Sequence, residues 1–159
     1  MANQKTPTIE LTKEGFDELQ AELAELRDVK LPAVIARVAK AREHGDLSEN
    51  AEYHSAQDDQ QLIETRISEI ESILSKAKVV QHTRSSVRVG IGSKVEVKKK
   101  GAKKSATFSI VGEYESNPAE GKISSVSPLG KALIGKKKGD TVQVEAPSGT
   151  ISYEILQIK

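Results

Sequence analysis

Two runs of apolar residues repeat at coiled-coil spacing on either side of one glycine, and this pattern limits the first half of the chain to very few folds. Phe16, Leu19, Leu23 and Leu26 follow one another at steps of three or four, as do Ile63, Ile67, Ile70 and Leu74. Such steps draw one narrow apolar stripe along each helix, the seam through which helices pair. Thr12 stands where it can cap the first helix, with Glu14 in its first turn. Pro32 removes a helical hydrogen bond and crowds the preceding turn, so a kink or short break is expected there. Val34, Ile35 and Val38 resume the stripe, which fades through Ala39 and Ala41 and stops at Gly45. A second helix is expected from about Leu47 to Lys78. Two long helices joined by a very short turn run antiparallel, as a helical hairpin.

The seam is uneven. It is strong over residues 16–26 and 63–74, whereas Asn50 to Gln61 carries only Ala51, Tyr53 and Ala56 as apolar residues. The turn at Gly45-Asp46 is therefore expected at the exposed tip of an arm, about 45 Å long if roughly 30 residues rise ~1.5 Å each. At that tip, Asp46-Leu47-Ser48-Glu49 fits a capping box, with Asp46 as N-cap and Glu49 three residues on. Gly45 suits the left-handed end of the first helix. The same two carboxylates are also hard oxygen donors of the kind that hold Mg²⁺. Two are too few for a complete site, which argues against a free-standing nuclease. They suffice for half a site completed inside a partner, where paired ions assist phosphoryl chemistry.

Composition divides the chain in the same place. Residues 1–80 hold 10 basic and 16 acidic side chains, and residues 81–159 hold 14 and 7, although the net charge is only +1. Such asymmetry suggests two units with different partners. The chain has no Cys, which excludes disulfide scaffolds and sulfur-ligated zinc. His44, His54 and His82 are scattered, which disfavours an all-nitrogen zinc site. No apolar run approaches the ~20 residues that cross a bilayer, and the first residues lack a signal-peptide core. A soluble cytoplasmic protein without a membrane partner is expected. The hairpin satisfies its own seam, so a monomer is expected too.

The expected division is a hairpin over 1–80, a polar linker over 81–86 and a second domain over 87–159. In the last, Val95 and Val97, Thr107 to Val111, Lys122 to Val126, Thr141 to Ala146 and Thr150 to Ile158 read as strands. Pro147-Ser148-Gly149 reads as a hairpin turn, with Pro at the second turn position. Leu129 to Ile134 reads as a short helix behind Ser127-Pro128. The fold class is α+β, with a small domain centred on an antiparallel sheet. Lys98 to Lys104 carries five lysines suited to nucleic acid electrostatically, although a solvated hairpin tip is the simpler reading. Lys136-Lys137-Lys138 invites the same simpler reading.

The run REHGDLSENAEYHSA, the hairpin behind it, and the later SPLGKALIG and KKGDTV segments resemble the Gre family of bacterial transcript-cleavage factors, nearly end to end. The resemblance implies an FKBP-like C-terminal domain that docks on bacterial RNA polymerase, and an arm that enters its secondary channel. It implies that Asp46 and Glu49 help to hold a Mg²⁺ ion in the polymerase active site. There the polymerase cleaves backtracked nascent RNA and leaves a new 3′ end. Arg42, Ser48, Asn50 and Tyr53 become candidate RNA or polymerase contacts. Local roles stand beside these: backbone hydrogen bonds for Ser48 and Asn50, and packing across the arm against Ala39 or Arg42 for Tyr53. Ser127, Pro128, Ala132, Leu133, Ile134 and Gly135 become candidates for the docking surface or its supporting loop, with core packing as the alternative for Leu133 and Ile134.

One departure stands out. Similar proteins often carry a basic residue four positions after the tip Tyr, where this chain has Gln57 followed by Asp58 and Asp59. A weak basic patch favours a GreA-like over a GreB-like cleavage preference. A channel-binding regulator without cleavage is a rival reading, disfavoured because an inhibitor has no need of both Asp46 and Glu49. A coiled-coil chaperone is another, disfavoured by a polar tip. Phe108, Tyr114 and Tyr153 are too few to line a proline pocket, which argues against prolyl isomerase activity.

Overall fold

Thr12 opens the first helix as its position suggests: its Oγ1 accepts a 3.0 Å hydrogen bond from the Gly15 N–H, and helix α1 spans Lys13–Glu25. The structure is a computed structural model and describes residues 8–43, 50–80 and 87–159. The chain separates into two compact units. One is Phe16–Lys76, and the other joins residues up to Gly15 to those from Ala77 onwards.

In the helical unit, α1 passes through a π-helical turn, Leu26–Lys30, into α2, Leu31–Arg42. The Leu31 N–H donates to the Leu26 carbonyl five residues back, and Pro32 follows in the first turn of α2. A widened turn thus stands where a kink or short break was expected, and the missing donor of Pro32 falls where the hydrogen-bond register is already shifting. Helix α3, Ala51–Lys76, packs against this segment. The buried stripe is Leu19, Leu26, Val34, Val38 and Ala41 on one side and Tyr53, Ala56, Ile67, Ile70 and Ile73 on the other. Ile35 turns away from it, 47% exposed, and Ile73 takes the place expected for Leu74. Ion pairs flank the stripe. Arg66 clamps Glu22 with two bonds of 2.8 and 3.0 Å and reaches Glu69 at 2.7 Å, while Arg27 meets Glu71.

Helix α3 ends at Lys76, before the expected Lys78. Ala77–Val79 instead form strand β2, pairing in parallel with β1, Ile9–Leu11, in the register Ile9↔Ala77 to Leu11↔Val79. Leu11 is fully buried, and Glu115 binds the adjacent Thr12 through both its backbone N–H and its hydroxyl. These contacts place both ends of the helical segment in the sheet unit, so the first 80 residues do not form one unit.

The sheet has the order β5-β4-β3-β7-β6, from β3 (Lys94–Lys99), β4 (Ser105–Val111), β5 (Lys122–Ser124), β6 (Thr141–Ala146) and β7 (Gly149–Ile158). It is mixed, not purely antiparallel, because β5 runs parallel to β4 after a crossover built from two 3₁₀ turns. Pro147-Ser148 form the two-residue loop of the β6–β7 hairpin, with Ala146 opposite Gly149. A bulge in β7 shifts the register between Glu96↔Gln157 and Val97↔Ile155. The extra residue brings Ile155 and Ile158, an odd number apart, onto the same buried face. The core is Val89, Val95, Val97, Ile110, Leu133, Val142, Ile155 and Ile158. Helix α4, Pro128–Leu133, covers it. Gly130 is needed there, because a Cβ at this position would lie 2.0 Å from the Ser124 carbonyl oxygen.

Candidate functional site at the hairpin turn

Among the described residues, one amide joins the last turn of α2 to the start of α3. Asn50 Oδ1 accepts from the Tyr53 N–H at 3.0 Å and its Nδ2 donates to the Ala41 carbonyl at 2.8 Å. The Asn50 carbonyl accepts the His54 N–H at 3.2 Å. Asn50 is therefore the N-cap of α3, and it also binds the last turn of α2. The expected N-cap was Asp46, four residues earlier. Asp46, Ser48 and Glu49 lie outside the described residues, as do His44 and Gly45.

Behind Asn50, Val38, Ala41, Tyr53 and Ala56 form a small buried cluster. Small residues at 41 and 56 let the helices approach, and the Tyr53 ring fills the remaining space. The Arg42 guanidinium carbon lies 5.7 Å from the Tyr53 ring centroid, a cation–π contact, and the ring meets His54 edge-to-face at 5.6 Å. Tyr53 thus packs across the hairpin against Arg42, one of its two expected partners. The Gln57 Nε2 donates to the Tyr53 hydroxyl at 2.8 Å. Gln57, standing where similar proteins often have a cation, serves here to orient the ring.

One turn further, Arg37 on α2 binds Glu52 at 3.0 Å and Asp59 at 2.8 Å on α3. Hydrogen bonds to Asp59 and then Glu52 raise the pKa of Arg37, which stays charged throughout the physiological range. The acidic pair Asp58-Asp59 is thereby partly neutralised. Among the described residues, no group of three or more His, Asp or Glu side chains is arranged to hold a metal ion. The signal for the Asn50 closure was present in the sequence as an Asn immediately before a helix. It was masked by the better-known capping pattern of Asp46 and Glu49.

The residues expected to dock the second domain have mixed fates. Ser127 is the N-cap of α4, accepting from Gly130 N–H at 3.0 Å and donating to the Ser124 carbonyl at 2.7 Å. Leu133 is fully buried in the core and is not a surface residue, because α4 turns it onto the sheet. Ala132 packs partly against the same core. Pro128, Ile134 and Gly135 are exposed, with Gly135 at φ 78° and its N–H donating to the Val89 carbonyl.

The family model described as the N-terminal part of transcription elongation factors matches residues 9–79, and that of the GreA/GreB C-terminal part matches residues 84–159. The chain belongs to the GreA/GreB family of transcription elongation factors. It is 48% identical to the transcription elongation factor GreA of Ruegeria pomeroyi, over 95% of this chain and 97% of that protein. With the GreA of Acidiphilium cryptum the identity is 49%, over 98% of each. Among solved structures, that of GreA factor homolog 1 from Thermus thermophilus is 28% identical, with a TM-score of 0.46, over 96% of this chain and 99% of that one. Among the described residues, no helix is long and apolar enough to cross a membrane.

Proposed function

We propose that this elongation factor enters the secondary channel of bacterial RNA polymerase and stimulates the polymerase's own Mg²⁺-dependent cleavage of backtracked nascent RNA. The observation that supports this reading is the match of residues 9–79 to the N-terminal part of transcription elongation factors, with Asn50 capping α3 directly after the acidic turn sequence. The chain's full-length relatives being GreA factors supports the same assignment.

Asn50 fixes where α3 begins and Tyr53, held by Arg42 and Gln57, stiffens its first turn. Asp46 and Glu49 precede this capped helix start in the sequence and act at the partner's reaction centre. Two hard oxygen donors suit Mg²⁺ but leave most of its coordination to the polymerase and the RNA phosphate. Bound there, the ion supplies charge stabilisation to phosphodiester hydrolysis. Water adds at phosphorus and the upstream 3′ oxygen departs with a proton, which leaves a 3′ hydroxyl for renewed synthesis. The chain itself is an accessory factor, monomeric and cytoplasmic, and the polymerase is the enzyme. The exposed Pro128 and Ile134 contribute to docking, with Ser127 and Gly135 holding their loop. Arg42 and Ser48 are candidate contacts to the RNA or the polymerase.

The test is RNA cleavage in stalled, backtracked polymerase complexes with wild type, Asp46→Asn and Glu49→Gln. Both variants should bind polymerase and lose stimulation. Binding without any stimulation by the wild type would establish the regulatory reading in place of this one.

A further inference from the structure

We propose that the cleft beside the β3–β4 turn binds single-stranded RNA along its phosphate backbone. This site lies in the sheet unit and shares no residue with the hairpin turn, so it does not rest on the cleavage reading above. The cleft has a volume of about 480 Å³ and is lined by Lys98, Lys99, Lys100, Thr141, Ser152, Tyr153 and Glu154, together with Gly101 and Ala102.

Three features distinguish it from an ordinary solvated turn. First, the lysines line a concavity. Strand β3 ends beside β7, with Lys98 opposite Glu154 and Lys99 opposite Tyr153, and β6 places Thr141 on the other side of Glu154. Lys103 and Lys104 stand exposed on the turn that follows, outside the lining itself. Second, none of these five lysines forms an ion pair among the described residues, although carboxylates are at hand. Glu96, the nearest on β3, is taken by the Ser105 hydroxyl at 2.6 Å. Unpaired, clustered ammonium groups raise the local potential and attract a polyanion, whose binding releases condensed counterions. Third, the lining carries other groups that a single strand uses. Thr141 and Ser152 offer hydroxyls to phosphate or sugar, and Tyr153, half-buried against the core, forms part of the wall.

Glu154 decides between RNA and DNA. A carboxylate repels the phosphates of RNA and DNA alike, so its place in a lysine-lined cleft disfavours either backbone unless a hydrogen-bond donor compensates. It accepts a hydrogen bond from a ribose 2′-hydroxyl, the group that separates RNA from DNA.

The experiment measures fluorescence anisotropy of a labelled oligouridine, an oligodeoxyuridine of equal length and a DNA duplex, titrated with the full chain over a range of salt. The variants are K98Q/K99Q/K100Q, the equally charged control K136Q/K137Q/K138Q, and Glu154→Ala. The first triple should weaken oligouridine binding roughly tenfold or more and flatten the salt slope by about 2, at ~0.7 per phosphate contact. The control triple should change affinity less than about twofold, which separates a site from net charge. Loss of the RNA preference in Glu154→Ala supports the 2′-hydroxyl contact. Equal losses in the two triples, or equal wild-type affinity for the RNA and DNA strands, would overturn the proposal. Unchanged melting temperatures exclude misfolding as the cause.

Discussion

The helical unit and the sheet unit are held together by different means. The sheet unit closes a core of eight buried residues drawn from strands, helix α4 and a loop far apart in sequence, among them the fully buried Val95, Ile110 and Leu133. The helical unit has a stripe one residue wide, and charged pairs such as Glu22–Arg66 and Arg37–Asp59 flank it. Its end rests on four buried residues and one amide. A core protects itself by volume, so any truncation leaves a cavity. A thin seam depends on each contact separately, so its strength varies along its length and with solution conditions. The seam suits an element that must present polar groups to a partner, since there is little apolar surface to hide.

The largest expected effect lies in the core. Leu133→Ala should destabilise the sheet unit by about 2–5 kcal/mol, as for other fully buried leucines. Its neighbour Ile134→Ala should stay within about 0.5 kcal/mol, as exposed positions do. Urea unfolding of both variants measures this, and equal losses would mean that α4 is not seated as described. The next effect belongs to the seam. Tyr53→Ala should cost about 3 kcal/mol in helical stability followed by far-UV circular dichroism, and Tyr53→Phe about 1 kcal/mol or less, for the Gln57 bond alone.

A smaller effect tests the closure itself. Asn50→Ala should cost about 1 kcal/mol by loss of the cap. Asn50→Asp keeps the acceptor for the Tyr53 N–H and loses only the donor to the Ala41 carbonyl, so it should fall between Ala and wild type. If Asp matches Ala, the contact to α2 outweighs the cap.

The smallest effect is set by pH. The hydrogen bond from Arg66, opposed by slight burial and aided by its charge, holds the Glu22 carboxyl below its ordinary value of 4.5. A depressed folded-state pKa stabilises above the unfolded value, and the gain disappears as pH falls through the folded one. The pair is partly exposed, so the loss should be about 0.5 kcal/mol. Acid titration of Glu22→Gln beside wild type isolates it, and identical acid limbs would show that the pair contributes nothing.

Much of this fold could be read from local pattern. The heptad steps located the hairpin, alternation located the five sheet strands, Pro147-Ser148 located a turn, and Thr12 and the Ser127-Pro128 boundary located helix starts. What escaped was set by distant partners. Ala77-Lys78-Val79 has the composition of a fraying helix end and becomes a strand because Ile9–Leu11 lies beside it. The direction of β5 follows from a crossover, not from its three residues. The β7 bulge follows from the face that Ile158 must reach. At the site, Tyr53 meets Arg42, one of the two partners expected for it, while the dual role of Asn50 depended on a carbonyl nine residues upstream. Asp46 and Glu49 carry the proposed chemistry on the sequence pattern and the chain's family.

The parallel pairing of β1 with β2 has a consequence for how the chain assembles. Ile9 can meet Ala77 only after everything between them has been drawn into a closed loop, and the entropy of closing a long flexible loop grows with its length. Folding the intervening residues into local helices shortens that loop before the strands meet, so fast helix formation prepares slow strand pairing. Once zipped, the two short strands return the chain beside its point of departure. The helical segment is then an insertion with adjacent ends, the arrangement in which one segment is exchanged for another of different length without rethreading the remainder.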